Sequence, residues 1–228
     1  MDSLYLKQIE VGPMANFVYL IGDAFTKEVL IVDPAWQIDT LFKIIHSENL
    51  KLRGALISHA HFDHTNGLSE LLNLADIPIY IQKEEADFVK SVGKAESLFP
   101  LLPEEHLKKV GNEEKITVGK IEITLIHTPG HTPGSQCFLI KDNLISGDTL
   151  FIRTCGRSDL PGSDPKKMYE SLTQKLMKLP SKTVLYPGHN YGDLSSSTLE
   201  EEKKKNPYLL CESLETFLML SGHTRRKI

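Results

Sequence analysis

Three histidines and one aspartate lie close together in the segment 58–64, which reads SHAHFDH. An apolar stretch with the composition of a buried strand directly precedes it. Side chains alternate along an extended chain, so His59 and His61 fall on one side, and Asp63 and His64 follow where the next helix begins. Imidazole and carboxylate groups are ligands for Zn²⁺ and similar cations. The spacing therefore predicts a metal site at a strand end rather than a solvated polar loop.

Three further segments are alike in form, because each ends a predicted strand with a small-residue turn and then offers a ligand. They are TPGHTPGS with His131, SGDT with Asp148, and YPGHNY with His189. In open α/β sheets, ligands bind beyond the carboxyl ends of strands, and glycine allows the backbone conformations that such turns need. Each turn alone is weak evidence. Together with the first cluster they supply seven ligand side chains, enough for two metal ions.

The elements that must position these residues alternate between strands and helices. Strands are predicted at 4–11, 16–22, 29–32, 53–58, 77–81, 116–118, 121–127, 135–140, 143–146 and 183–186. Helices are predicted at 37–49, 66–74, 83–90, 165–178, 198–205 and 211–220. The alternation favours a layered α/β fold. Segment 91–110 shows no clear strand and is interpreted as a lid-like insertion. With no low-complexity linker, we expect one domain over residues 1–228.

Composition excludes several classes of protein. The 228 residues are 40% hydrophobic and 25% charged, which excludes bulk disorder. The net charge of −4 argues against a broad nucleic-acid-binding face. No apolar run approaches a membrane span, and the N-terminus lacks the pattern of a secretory signal. Three cysteines do not form a disulfide framework, which favours a reducing, cytoplasmic location. We expect no nucleic-acid or membrane partner. A homodimer is an expectation based only on how common homodimers are.

The order HxHxDH, GH, GD and GH resembles that of the metallo-β-lactamase fold superfamily, from about residue 14 to about residue 210. Three segments are similar to its glyoxalase II and persulfide dioxygenase (ETHE1-like) branch: CGRSD at 155–159, HNY at 189–191, and STLEEE at 197–202 followed by NP at 206–207. The resemblance implies an α/β fold, a four-layer αββα sandwich of the metallo-β-lactamase type.

The resemblance also implies two sets of metal ligands: His59, His61 and His131 in the first, Asp63, His64 and His189 in the second, with Asp148 as the bridge. The family commonly carries zinc, and this branch also carries iron or mixed metals. The expected cofactors are therefore two divalent ions, with Zn²⁺ first and Fe²⁺ or an Fe/Zn pair as the alternative. A metal lowers the pKa of bound water to about 7.

The first functional hypothesis is a glyoxalase II-like hydrolase. A metal-bound hydroxide would cleave a thioester of the hydroxyacylglutathione type or a related ester, with Asp63, Asp148 and His189 as catalytic residues. Arg157 is a candidate clamp for a substrate carboxylate, and its alternative is a salt bridge with a neighbouring aspartate. Tyr191 is a candidate hydrogen-bond donor to the substrate, and its alternative is packing.

The second hypothesis is a mononuclear iron persulfide dioxygenase that oxidises glutathione persulfide. The resemblance places its iron at His59, His131 and Asp148, a face of two histidines and one carboxylate with open positions for O₂. The sequence does not separate the two hypotheses. A non-catalytic metal-binding module is less favoured, since a structural zinc site needs only four ligands. Asp33, at a strand end before a proline, is interpreted as a turn residue slightly in preference to a group that orients a ligand.

Overall fold

A computed structural model describes residues 3–93 and 96–223 as strands, seven helices and connecting turns. The strands are β1 Leu4–Val11, β2 Asn16–Asp23, β3 Glu28–Val32, β4 Lys51–Ile57, β5 Ile79–Gln82, β6 Leu107–Val110, β7 Lys115–Val118, β8 Ile121–His127, β9 Gln136–Ile140, β10 Asn143–Gly147, β11 Leu150–Phe151, β12 Thr154–Cys155, β13 Val184–Pro187 and β14 Ser197–Thr198. The helices are α1 Ile38–Ser47, α2 Phe62–Thr65, α3 Leu68–Leu74, α4 Lys83–Val92, α5 Pro165–Glu170, α6 Leu199–Lys205 and α7 Leu214–Leu220.

Two six-stranded mixed sheets form the centre of the molecule. The first has the order β1-β2-β3-β4-β5-β6, with antiparallel pairing up to β3 and parallel pairing from β3 to β6. The second has the order β14-β13-β10-β9-β8-β7, in which only β10 and β13 pair in parallel. Strands β11 and β12 form a separate small ribbon. The carboxyl ends of the parallel pairs are where ligand-bearing loops begin.

The interior between the sheets is an apolar core. Strand β2 lies inside this core, because all its residues are buried and its side chains alternate between two apolar layers. Phe17 and Tyr19 face the second sheet and pack in a cluster with Phe138 and Ile145. Leu20 points the other way, into the layer between the first sheet and its helices. Burial on both faces fixes the register of the strand, since a slip by one residue would exchange the two faces.

Helices cover the outer face of each sheet. On the first sheet, α1 buries the stripe Ile38, Leu41 and Ile45, and α3 and α4 pack in the same cluster. On the second sheet, Met168 of α5 and Phe217 of α7 pack into a separate buried cluster. The arrangement is the αββα sandwich that the family resemblance implies. Among the described residues, no helix is long and apolar enough to cross a bilayer.

The segment 91–110 corrects one expectation. Residues 107–110 are not part of a loop, because β6 pairs in parallel with β5 and forms the edge of the first sheet. The sequence LKKV gives no strand signal because two of its four residues are lysines. Both lysines are exposed, as is common on edge strands. Residues 104–106 form a short 3₁₀ turn, and residues 94–95 lie outside the described part of the chain. A lid-like movement of the remainder stays a prediction.

The helix predicted at 165–178 is α-helical only up to residue 170. It continues as a π-helical turn over Ser171–Lys175 and a 3₁₀ turn over Leu176–Lys178. The buried side chains Leu172 and Leu176 keep this irregular stretch packed on the second sheet. The apolar spacing therefore predicted the buried face correctly and missed the change in helix type.

Candidate metal centre

The seven predicted ligands converge where strands of both sheets end. They follow β4, β8, β10 and β13, and they form three overlapping groups within which the ligand atoms lie within 4.8 Å of one another. The groups are His59, His61 and His131; His59, His64 and Asp148; and Asp63, His64 and His189. We call the first of these the first metal group and the last the second metal group. This buried His/Asp cluster is a metal-binding arrangement.

Asp148 lies between the two metal groups. Its Oδ2 is 3.5 Å from Nε2 of both His131 and His189, and its Oδ1 is 3.4 Å from Nε2 of His64. The turn before His189 permits this position, because a Cβ at Gly188 would lie 2.4 Å from Asp148 Oδ1. The carboxylate thus has the central place that a bridging ligand needs.

Hydrogen bonds on the outer side of three imidazole rings fix which nitrogen faces inward. Each ring donates its Nδ1–H to an oxygen that can only accept: His64 to Asp33 Oδ2 at 3.0 Å, His131 to the Arg157 carbonyl at 2.8 Å, and His189 to the Met14 carbonyl at 2.9 Å. Nε2 is therefore the nitrogen that faces the cluster in each ring, and it carries the lone pair whenever the ring is neutral. Metal-ligating histidines are held in this way.

The inward-facing nitrogen atoms come too close to be stable without a positive charge between them. Nε2 of His64 is 3.1 Å from Nε2 of His189, and Nε2 of His131 is 3.0 Å from Nδ1 of His61. Among the described residues, His59 Nε2 and Asp148 Oδ1 are buried without a hydrogen-bond partner. Such unpaired buried groups are costly and call for an ion. The residues present therefore fit bound metal ions.

Asp33 has a larger role than the sequence suggested. It is buried with a positive φ of 49°, so it is a turn residue as expected. Its carboxylate also accepts hydrogen bonds from Ser58 N at 2.7 Å, Ser58 Oγ at 2.6 Å and His64 Nδ1. Ser58 Oγ in turn lies 3.0 Å from His59 Nδ1 and can accept its proton. Asp33 therefore orients one histidine directly and another through a serine, and the preference for a turn residue alone was wrong.

Asn16 is a positioning residue that the sequence did not reveal. Its Nδ2 donates to Asp63 Oδ2 at 2.9 Å and to the Asp63 carbonyl at 3.0 Å. Trp36 Nε1 lies 3.3 Å from Asn16 Oδ1 and fixes the orientation of the amide. Asn16 begins β2, and asparagine is unfavourable in strands. That misfit was the only available signal.

The three histidines of the first metal group are uncharged at neutral pH. Burial lowers the pKa of His59 and of His131, and the neighbouring histidines lower that of His59 further. Burial together with His131 lowers the pKa of His61 to about 3. Burial penalises the charged imidazolium form. These rings therefore present free lone pairs at neutral pH.

In the second metal group, the pKa values of the histidines are raised instead of lowered. Burial lowers the pKa of His64 and His189, but the surrounding carboxylates raise it more, and the pKa of His189 reaches about 10. For Asp63 and Asp148, burial raises the pKa, but the nearby histidines lower it more, to below its usual range. Opposite charges within a few ångströms stabilise each other's charged form.

The two predicted substrate residues line a cavity of about 410 Å³ next to the ligands. The Arg157 side chain is 67% exposed, and its Nε and Nη2 each donate to an Asp159 carboxylate oxygen at 2.9 Å. The Tyr191 ring stacks on His189, with 4.5 Å between centroids and 10° between planes. In both cases the alternative interpretation, a salt bridge or packing, describes the observed contacts. A substrate role stays a prediction.

The fold and the cluster agree with the comparison to protein families. The family described as the metallo-beta-lactamase superfamily matches residues 11–189. The chain belongs to the metallo-β-lactamase superfamily, and its relatives support the ETHE1-like branch.

Three of these relatives define the chemical alternatives. The chain is 30% identical over 213 residues to a probable polyketide biosynthesis zinc-dependent hydrolase, BaeB, of Bacillus velezensis, covering 93% of this chain and 90% of that protein. It is 31% identical to the mitochondrial persulfide dioxygenase ETHE1 of Mus musculus, covering 93% of this chain and 78% of that one. The crystal structure of TTHA1623 in a di-iron-bound form matches with a TM-score of 0.74 and 28% identity, covering 89% of this chain and 100% of that chain.

Proposed function

We propose that the protein is a persulfide dioxygenase that oxidises a glutathione-type persulfide at an iron ion held by His59, His131 and Asp148. The observation that carries the proposal is the mutual approach of two imidazoles and one carboxylate: His131 Nε2 lies 3.5 Å from Asp148 Oδ2, and His59 shares a ligand group with each of them. His131 and Asp148 also line the cavity. Ferrous iron on such a face offers open positions for O₂ and substrate. The relation to mouse ETHE1 supports this reaction ahead of the thioester hydrolysis placed first from the sequence.

The chain's own residues suit a sulfur substrate. Met14, Leu98, Phe151 and Leu160 line the cavity beside the metal groups. Such apolar walls exclude water from the reacting sulfur and accept a polarisable, weakly hydrated atom. Burial raises the pKa of the Cys155 thiol to about 12, so this cavity-lining cysteine is protonated at neutral pH, and it belongs to none of the three ligand groups found among the described residues.

Hydrolysis by two zinc ions is the second candidate, and one specific observation favours it. The second metal group has a full set of outer partners, because Asp63 accepts a hydrogen bond from Asn16, His64 donates one to Asp33, and His189 donates one to the Met14 carbonyl. A mononuclear oxygenase has no need of this set. The relation to BaeB supports a zinc-dependent hydrolase. Its substrate would be a thioester of the hydroxyacylglutathione type or a related ester.

Elemental analysis combined with two assays separates the candidates. The protein is purified without added metal, and its iron and zinc are measured per chain. We expect about one iron and O₂ uptake with glutathione persulfide, with the activity lost after chelation and restored by Fe²⁺. Two zinc ions per chain and cleavage of S-lactoylglutathione without O₂ uptake would replace the proposal with the second candidate. A His59→Ala variant controls for metal bound elsewhere on the protein.

A further inference from the structure

Glu85 is a fully buried carboxylate on helix α4 that lies outside the set of metal ligands. Its Oε1 accepts a hydrogen bond from Ala60 N at 2.7 Å. Its Oε2 accepts from Thr132 Oγ1 at 2.7 Å and from Gly134 N at 2.8 Å. All three donors are uncharged. A buried carboxylate is costly, so a site that keeps one with three aligned donors has a use for it.

The donors belong to two loops that are distant in sequence and carry the whole first metal group. Ala60 lies between His59 and His61, and Thr132 directly follows His131. One carboxylate therefore connects the backbone of the loop after β4 with the loop after β8. The distance between these loops determines whether three imidazoles can reach the same ion.

His61 depends on this connection more than the other histidines. Within the described part of the chain its outer nitrogen, Nε2, has no hydrogen-bond partner, whereas the other four ligating histidines each have an outer oxygen partner. The His61 ring instead packs against Phe99, with 4.8 Å between centroids. Nearby, the Leu98 carbonyl accepts the Phe62 N–H at 2.8 Å. The chain that follows α4 therefore holds the ligand loop at a second point.

We propose that Glu85 is a positioning residue for the first metal group. By binding Ala60 N on one side and Thr132 and Gly134 on the other, it sets the separation of the two loops. It thereby controls the affinity of His59, His61 and His131 for their ion without touching that ion. The inference does not depend on whether the bound metal serves oxygenation or hydrolysis.

A merely structural role is the competing explanation, because α4 and the second loop are in close contact. A Cβ at Gly134 would lie 2.2 Å from Glu85 N. Glu85→Gln tests the difference. The amide keeps the size of the side chain but replaces one accepting oxygen with a donor. At one of the two loops, the amide N–H therefore lies opposite a backbone N–H, and no hydrogen bond forms between them.

The affinities of the two Co²⁺ binding steps are measured by chelator competition, which does not depend on enzyme activity. The step that is lost in His61→Ala is the one that belongs to the first metal group. For Glu85→Gln we expect that same step to weaken by about tenfold to a hundredfold, while the other step is unchanged. The matched control is Asp87→Asn on the same helix, where an exposed carboxylate pairs with Lys109. It should leave both steps as they are.

Two results would overturn the proposal: unchanged affinities in Glu85→Gln, or an equal loss in both steps together with a lower Tm of the chelated protein. If Glu85→Gln does not fold, Thr132→Val replaces it. That variant removes one donor and keeps the shape of the side chain, so it should weaken the same step by a smaller factor. A Thr132→Val protein with wild-type affinities would count against Glu85 as a positioning residue.

Discussion

The two metal groups share Asp148 and lie side by side, yet the protein prepares them differently. The first metal group consists of neutral histidines whose loops are connected by Glu85 on α4. The second consists of an aspartate and two histidines whose Nε2 atoms retain one proton between them, and each side chain is held by its own outer partner. A metal ligand must be deprotonated before it binds. The first group is therefore ready for a cation, and the second must first release a proton.

The largest effect is expected from removing one ligand of each group. His131→Ala should abolish O₂ uptake, because it removes an iron ligand of the proposed site. His189→Ala should retain a measurable rate, because its ring belongs to the second metal group only. Both variants are assayed with glutathione persulfide after loading with Fe²⁺, and circular dichroism confirms their folding. Equal loss in the two variants would show that both groups take part in the reaction.

The pH dependence of metal loading sharpens the comparison. Because the pKa of His189 is raised to about 10, its proton is present at pH 6–8 and must leave when the second group binds a cation. Affinity there should rise by about tenfold per pH unit for each proton released. The pKa of His61 is lowered to about 3, so the first group is already neutral in this range and its affinity should stay level.

Calorimetry in buffers of different ionisation enthalpy measures this difference. Loading the second group should release about one proton, since two Nε2 atoms 3.1 Å apart have room for one proton between them. Loading the first group should release none. His61→Ala and His189→Ala assign each binding step to its group. Proton release of the same size in both steps would mean that the two groups do not differ in protonation.

Local patterns in the sequence predicted most of the elements and the residues that come together as candidate ligands. Strand β1 has the predicted bounds 4–11, and HxHxDH and the three small-residue turns follow strands as expected. These features depend on periodicity and on spacing within a few residues. Strand β6 has only four residues with a polar edge pattern, and it was missed for that reason.

The residues that hold the ligands could not be predicted in the same way. Asn16 contacts Asp63 across 47 positions, and Glu85 contacts Thr132 across the same number. Neither contact leaves a periodic or local pattern, because it depends on how the strands are arranged in space. The same limit applies to Asp33, whose turn could be recognised while its bonds to Ser58 and His64 could not. Spacing finds ligands, whereas their orientation depends on the tertiary structure.

A smaller and selective effect is expected at Asn16. Asn16→Ala removes the donor to the Asp63 carboxylate and should lower the metal affinity of the second metal group by about tenfold. This is the lower end of the range expected when a ligand loses its outer hydrogen-bond partner. The first metal group should be unaffected, since Asn16 bonds to Asp63 and to Trp36. Stepwise Co²⁺ affinities test this. Asp33→Asn is the contrasting variant, because Asp33 orients His64 directly and His59 through Ser58, and it should weaken both groups.

The smallest effect is expected at Arg157. Its link to the first metal group is the backbone carbonyl that accepts the His131 Nδ1–H, and substitution of the side chain leaves that carbonyl in place. Its guanidinium forms an exposed pair with Asp159, and such pairs contribute less than about 1 kcal/mol. Arg157→Ala should therefore leave both metal affinities unchanged and lower the free energy of unfolding only slightly.

Urea unfolding and Co²⁺ titration test this expectation, and Asp159→Ala is the matched control because it breaks the same pair and frees the guanidinium. A weaker first metal group in Arg157→Ala would show that the side chain helps to hold the carbonyl that His131 contacts. A raised KM with unchanged metal affinity would have a different meaning. In that case the guanidinium exchanges Asp159 for a carboxylate of the substrate, and Asp159→Ala should then lower the KM, because it removes the competing anion.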